Sequence, residues 1–143
     1  MILLPHEIRF ALRANHVASC ALEERGERFD PMPVVKLFSP VGTATWLASE
    51  LAEDDDTLFG LADLGFGCPE LGTFSLTEIA SVRLPFGLGI ERDIAFATPF
   101  RLSVWTEHAR RAGSILWAEN LLRRAAARGD DELPTPSHDA GDG

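Results

Sequence analysis

The residues that could do chemistry are three carboxylates and the single lysine of the chain. Asp63 and Glu70 flank a glycine-rich turn, and Glu50 and Lys36 lie in two runs that are predicted to be extended. A metal-dependent nuclease needs at least two carboxylates that converge on a divalent ion, with a lysine or histidine that handles the attacking water. These four residues therefore allow one enzymatic hypothesis, a metal-dependent nuclease.

The surrounding sequence favours a structural role for the same residues. Glu70 is followed by Leu71 and Gly72 rather than by a lysine two positions on, and an acidic domain repels nucleic-acid phosphate. Asp63 and Glu70 can instead brace the turn by accepting backbone hydrogen bonds, while Lys36 pairs with an acid across the sheet. We therefore predict no catalytic residue, no metal site and no cofactor.

Negative charge is concentrated in the middle of the chain. The sequence carries 13 basic and 22 acidic side chains, a net charge of −9, and residues 30–97 hold eleven of the acids against three basic residues. An acidic surface attracts the basic channels of proteins that bind nucleic acid. The alternative is that the carboxylates only keep the chain soluble. The predicted partner-binding residues are Glu50, Glu53, Asp54, Asp55, Asp56, Asp63 and Glu70.

Length and composition predict one soluble domain. A chain of 143 residues can bury a core without disulfides or metals, and its two cysteines, Cys20 and Cys68, lie far apart in apolar contexts. We predict that both are buried as small apolar residues in a reducing compartment. We find neither a signal sequence nor an apolar run long enough to span a membrane, which predicts a cytoplasmic protein.

Hydrophobic patterning predicts five short strands, over residues 34–38, 44–51, 57–64, 70–74 and 94–97. Alternation along the second run places Thr45, Leu47, Ser49 and Leu51 on one face and Trp46, Ala48 and Glu50 on the other. Because the strands follow one another at hairpin-sized gaps, we expect an antiparallel sheet of four to five strands with helices on one face. The predicted fold class is α+β.

Three helical segments accompany the sheet. The first covers residues 5–25, and a capping box from Ser75 to Glu78 begins a short middle helix. A long C-terminal helical segment begins at Ser103 and bends or breaks at Gly113. The domain is predicted to span residues 1–128, and the Asp/Gly/Pro-rich tail over 129–143 is predicted to be disordered.

Several sequence blocks in order resemble one known family. They include PVVKLF at 33–38, ATWL at 44–47, FGL at 59–61 and PELG at 69–72. They resemble a family of domains of unknown function that is common on bacterial plasmids and phages, near conjugation and anti-restriction genes. The resemblance covers about residues 3–115, and the arginine-rich helix and acidic tail beyond Ile115 depart from it. Some family members are labelled single-stranded DNA endonucleases.

These observations lead to three hypotheses of function. The first is a small acidic binding protein of a mobile element, which inhibits a nucleic-acid-binding host defence protein of the CRISPR or restriction type by occupying its basic surface. It would bind neither nucleic acid nor membrane directly. The second is a metal-dependent single-stranded DNA endonuclease. The third is a homodimeric interaction module that uses an exposed sheet face around Trp46 and Phe74.

Overall fold

A computed structural model describes residues 1–129. Of the predicted tail over 129–143, residues 130–143 lie outside the described residues. The helices are α1 (His6–Glu24), α2 (Leu76–Ser81), α3 (Leu102–Ala112) and α4 (Ile115–Ala127), with a single 3-10 turn at Pro85–Gly87. The strands are β1 (Val35–Phe38), β2 (Thr45–Leu51), β3 (Thr57–Asp63), β4 (Glu70–Ser75) and β5 (Glu91–Arg92).

The five strands form one antiparallel sheet in the order β4-β3-β2-β1-β5. The first four strands follow one another as hairpins, because each connection carries turn residues such as Pro40 and Gly42 or Gly65 and Gly67. The last strand then returns beside β1. The predicted α+β class and five-stranded antiparallel sheet are confirmed.

Helices cover both faces of the sheet. On one face, Leu37, Trp46 and Ala48 share a core with Leu12 of α1. On the other face, Leu47 and Leu61 pack in a second core with side chains of α3 and α4. The prediction of helices on one face was therefore incomplete. All seven residues of β2 are buried, as expected for a central strand between two helical layers.

A β-bulge in β2 changes which side chains share a face. The register with β3 shifts between Ala48 and Glu50, so that Ser49 is inserted between them. Leu51 consequently joins the core under α1 rather than the face of Leu47 on which simple alternation placed it. Asn15 of α1 contacts the bulge: its side-chain nitrogen donates a hydrogen bond to the carbonyl oxygen of Ser49, over 2.9 Å.

The last strand lies earlier in the chain than predicted. Glu91 and Arg92 pair with β1, whereas residues 94–97 form no strand. Asp93 explains the difference, because its carboxylate accepts a hydrogen bond from the backbone nitrogen of Ala95 over 3.0 Å and turns the chain away from the sheet.

The C-terminal helical segment is two helices, as Gly113 predicted. This glycine ends α3 in the left-handed conformation, with φ of 83°, and the Ser114 hydroxyl caps α4 by accepting a hydrogen bond from the backbone nitrogen of Trp117. α3 begins at Leu102 rather than at Ser103, whose hydroxyl donates to the carboxylate of Asp30 instead of capping the helix.

Both cysteines are exposed, so the prediction that they are buried was wrong. Cys20 lies on the solvent side of α1 with its sulfur 3.6 Å from Nε2 of His16, and Cys68 lies in the β3–β4 loop. Within residues 1–129, none of the helices has the length and apolar character that crossing a membrane requires.

Candidate acidic binding site

The acidic turn between β2 and β3 is built by its own aspartates. One carboxylate oxygen of Asp54 accepts hydrogen bonds from the backbone nitrogens of Asp56 and Thr57, and the other accepts from the Thr57 hydroxyl over 2.6 Å. These bonds, above all those from Thr57, lower the pKa of Asp54 to about 2. The side chain is exposed and carries a permanent negative charge at neutral pH.

The next two aspartates are also held in place. Asp56 accepts hydrogen bonds from the backbone nitrogen of Thr77 over 2.7 Å and from the Ser75 hydroxyl, which lower the pKa of its carboxyl. Asp55 has a positive φ of 59°, and its carboxylate lies 3.2 Å from a guanidinium nitrogen of Arg13 and 3.6 Å from one of Arg9. The two arginines of α1 therefore neutralise part of the charge of the turn.

Asp63 is a structural residue and not a surface one. Its side chain is 1% exposed, and its carboxylate accepts hydrogen bonds from the backbone nitrogens of Gly65 and Ile115, both over 2.9 Å. It thereby braces the β3–β4 turn and joins that turn to the start of α4. The predicted role of Asp63 in binding a partner requires an exposed side chain, and this one is buried.

The three acids proposed for a nuclease site do not converge. Glu70 pairs with Ala62 in the sheet and so shares its face, whereas the neighbouring Asp63 points to the opposite face. Glu50 pairs with Phe59, near the other end of the strands. No group of three or more metal-ligating side chains occurs within residues 1–129. Asp63, Glu70 and Glu50 therefore do not form the metal site that the nuclease hypothesis proposed for them.

Lys36 makes the ion pair that a structural role predicts, but with a helix rather than across the sheet. Its Nζ atom lies 2.8 Å and 3.0 Å from the two carboxylate oxygens of Glu119 in α4, and 3.6 Å from an oxygen of Asp93. All three side chains are largely buried. Lys36 therefore ties α4 to the sheet and is not available to activate a water molecule.

A groove of about 650 Å³ lies beside the acidic turn. Four carboxylates line it, from Glu23, Glu27, Asp30 and Glu50, against a single arginine, Arg28. Its apolar lining comes from Phe29, Phe59, Leu71 and Leu102. We call this surface the acidic groove. It is continuous with the acidic turn, because Ala52 and Thr57, which flank the turn, also line it.

Glu50 is the most buried carboxylate of the groove, at 8% exposure. Burial raises the pKa of its carboxyl, and the hydrogen bond with His16 opposes this effect. The nitrogen Nδ1 of His16 lies 3.3 Å from Oε1 of Glu50. A carboxylate in such a poorly hydrated position attracts cationic groups more strongly than one in bulk water.

The structure places the seven predicted binding residues in four locations. Glu50 lies in the acidic groove, and Glu53, Asp54, Asp55 and Asp56 form the turn beside it. Glu70 is exposed at the start of β4. Asp63 is buried. Of the homodimer face predicted around Trp46 and Phe74, Trp46 is buried in the core under α1 and Phe74 packs partly buried against that core.

Sequence reasoning missed the acids that α1 and its following segment contribute. Two of these acids, Glu23 and Glu27, lie within residues 1–29, where four acids are balanced by four arginines. The third, Asp30, is the first residue of the acidic middle of the chain. A signal was present for Glu23 alone, because it lies four residues after Ser19 and therefore on the same side of α1. Glu27 follows the end of the helix at Glu24, so spacing could not place it.

The comparisons with known proteins identify a family whose description names no activity. Neither the curated proteins nor the solved structures gave a match. The family model described as "Protein of unknown function (DUF2958)" matches residues 3–116. Since that segment is most of the chain, the protein belongs to the DUF2958 family.

Proposed function

We propose that this protein binds a basic surface of a partner protein through the acidic groove and the acidic turn. The observation that carries the proposal is the groove itself, whose lining combines four carboxylates with a single arginine and an apolar base. A cleft lined by one sign of charge concentrates its field and accelerates association with the opposite charge. Its apolar lining suits the aliphatic stems of lysine and arginine side chains.

The carboxylates of the turn support the same function because they are fixed in position. Asp54 and Asp56 are held by the hydrogen bonds that shape the turn and cap α2, so binding need not order them. A preorganised charge loses less conformational entropy on association than a mobile one. Glu53 and Asp54 remain exposed to an incoming partner.

The class of partner that we propose is a nucleic-acid-binding host defence protein. Such proteins carry basic channels that receive phosphate, and a fixed array of carboxylates can occupy a channel of that kind. Support for this class comes from the gene neighbourhoods of the family that the sequence resembles. On this proposal the protein acts for a mobile element by keeping nucleic acid out of the channel.

Binding to purified CRISPR or restriction effectors tests the proposal. The informative variant carries Glu23→Gln, Glu27→Gln and Glu50→Gln, and its matched control carries Glu7→Gln, Glu91→Gln and Glu107→Gln. Both variants lose the same formal charge. We expect the groove variant to weaken binding by about tenfold or more, and the control to bind nearly as the parent does.

Salt dependence provides the second readout. Affinity of the parent protein is expected to fall steeply between about 50 and 200 mM salt, and that of the groove variant less steeply. Equal losses in the two variants would mean that net charge alone, rather than the groove, drives association. Unchanged binding of the groove variant to an effector that binds the parent would refute the proposal.

A further inference from the structure

The two edges of the sheet are protected very differently. β5 is only two residues long, and the N-terminal segment covers it, because the Arg92 side chain donates hydrogen bonds to the carbonyl oxygens of Ile2 and Leu3. β4 is six residues long, and within residues 1–129 only β3 pairs with it. Long strands with one unpaired side are templates for a further strand.

The usual obstacles to pairing are missing from β4. The strand Glu70–Ser75 contains no proline and no lysine, and it pairs with β3 over six consecutive positions without a register shift. Glu70, Leu71 and Thr73 are exposed. Because ladder hydrogen bonds alternate along an antiparallel strand, half of the backbone groups of β4 point away from β3. These groups can receive another chain.

The open edge leads directly into the acidic groove. Glu50, Phe59 and Thr73 are consecutive partners across β2, β3 and β4, and all three line the groove. Side chains directly opposite one another share a face of the sheet. A residue paired with Thr73 on an added strand would therefore extend this row and enter the groove at its open end.

We propose that an extended, arginine- or lysine-containing segment of the partner adds to β4 as a sixth strand and directs alternate side chains into the acidic groove. This inference rests on the proposed function and specifies how the partner docks. The alternation follows from strand geometry, in which every second side chain points to the same face. Main-chain pairing supplies affinity, and the groove supplies the preference for cationic side chains.

Charge identifies the occupant as a basic segment and not as a second copy of this chain. Two copies joined edge to edge through β4 would bring two acidic grooves close together, and each chain has a net charge of −9. Like charges at short range oppose that pairing. A basic strand instead gains attraction to the groove carboxylates while it satisfies the edge of β4.

The experiment uses the full chain and two octapeptides of equal charge. The first alternates arginine and threonine, and the second alternates N-methylarginine and proline, which removes every backbone N–H and so cannot continue a ladder. Binding is measured by fluorescence anisotropy at low salt, and backbone pairing is measured by amide hydrogen exchange. We expect the arginine–threonine peptide to bind about tenfold more tightly and to slow exchange within Glu70–Ser75.

Each outcome separates this inference from the proposed function. If both peptides bind equally and exchange in β4 is unchanged, docking by strand addition is refuted while charge-driven binding stands. If neither peptide binds but a basic effector does, docking by strand addition is refuted and the proposed function stands. If amide exchange in β4 slows as the protein concentration rises and no peptide is present, a second copy of this chain pairs with the edge. That result would refute a basic segment as the occupant. Loss of peptide binding in the Glu23→Gln, Glu27→Gln variant would support the proposed placement of the side chains.

Discussion

The Nζ atom of Lys36 lies 2.8 Å from Oε1 of Glu119 and so joins β1 to α4 inside the protein. Removing one partner leaves the other charge with only a longer ion pair, Lys36 with Asp93 at 3.6 Å or Glu119 with Arg123 at 3.7 Å. We expect Lys36→Met or Glu119→Leu alone to lower the free energy of unfolding by about 1–3 kcal/mol, measured by urea denaturation.

The double variant with both changes is the matched control for this pair, because it removes both charges together. We expect it to be more stable than either single variant. If the double variant lost as much stability as the two single variants added together, the pair would not be coupled.

Asp63 and Glu70 are expected to respond differently to the same substitution. Asp63→Ala leaves the backbone nitrogens of Gly65 and Ile115, the second of them buried, without their acceptor, and should cost about 1–3 kcal/mol of folding stability. Glu70→Ala changes an exposed side chain and should cost no more than about 0.5 kcal/mol. Thermal and urea denaturation measure both values, and equal losses would contradict the structural role of Asp63.

Two glycines of the sheet provide a second matched pair. A Cβ atom at Gly60 would lie 1.9 Å from the carbonyl oxygen of Leu47, whereas one at Gly72 would meet nothing within 4 Å. We expect Gly60→Ala to lose about 4 kcal/mol of stability or to fail to fold, and Gly72→Ala to stay within about 0.5 kcal/mol of the parent. A well-folded Gly60→Ala protein would show that β2 and β3 are farther apart than described.

The low pKa of Asp54 predicts a specific acid response. The carboxyl titrates at about 2 in the folded protein and at 3.8 as its ordinary value, so its hydrogen bonds stabilise the fold above pH 4. That contribution is lost as the pH falls from about 4 to about 2. We expect Asp54→Asn to be less stable at pH 7 and to lose less stability over that range.

Urea denaturation at several pH values measures this response, with Glu53→Gln as the control. Glu53 is the exposed neighbour of Asp54, and its substitution removes one charge from the same turn while it keeps the hydrogen bonds of Asp54. Parallel stability curves for the parent and Asp54→Asn would show that the hydrogen bonds of Asp54 contribute nothing to folding.

Much of the fold followed from local signals in the sequence. The helix break at Gly113, the cap at Ser75 and the first four strands depend on turn and cap chemistry, which acts over a few residues. The bulge at Ser49 could not be predicted, because it is set by pairing with β3 rather than by residues nearby. The second helical layer could not be predicted either. The hydrophobic pattern of β2 indicates a strand whether helices cover one face of the sheet or both.

The candidate site was predicted only in part, for a related reason. The run of four acids at 53–56 can be identified directly in the sequence, and a charged turn was expected there. The ion pairs of Asp55 with Arg9 and Arg13 could not be predicted, because they depend on where α1 crosses the sheet. The groove likewise joins residues from five separate segments, and only the folded chain brings Glu23 and Glu27 next to Glu50.

The position of α4 has a consequence for relatives of this protein. The family segment ends at residue 116, two residues into that helix, yet Ala118, Leu122 and Ala125 complete one of the two cores. The unit that folds is therefore longer than the unit that the family shares. A homologue that stops at the family boundary must shield Leu47 and Leu61 by different means, such as a repositioned α3 or a neighbouring subunit, and its quaternary structure need not match this one.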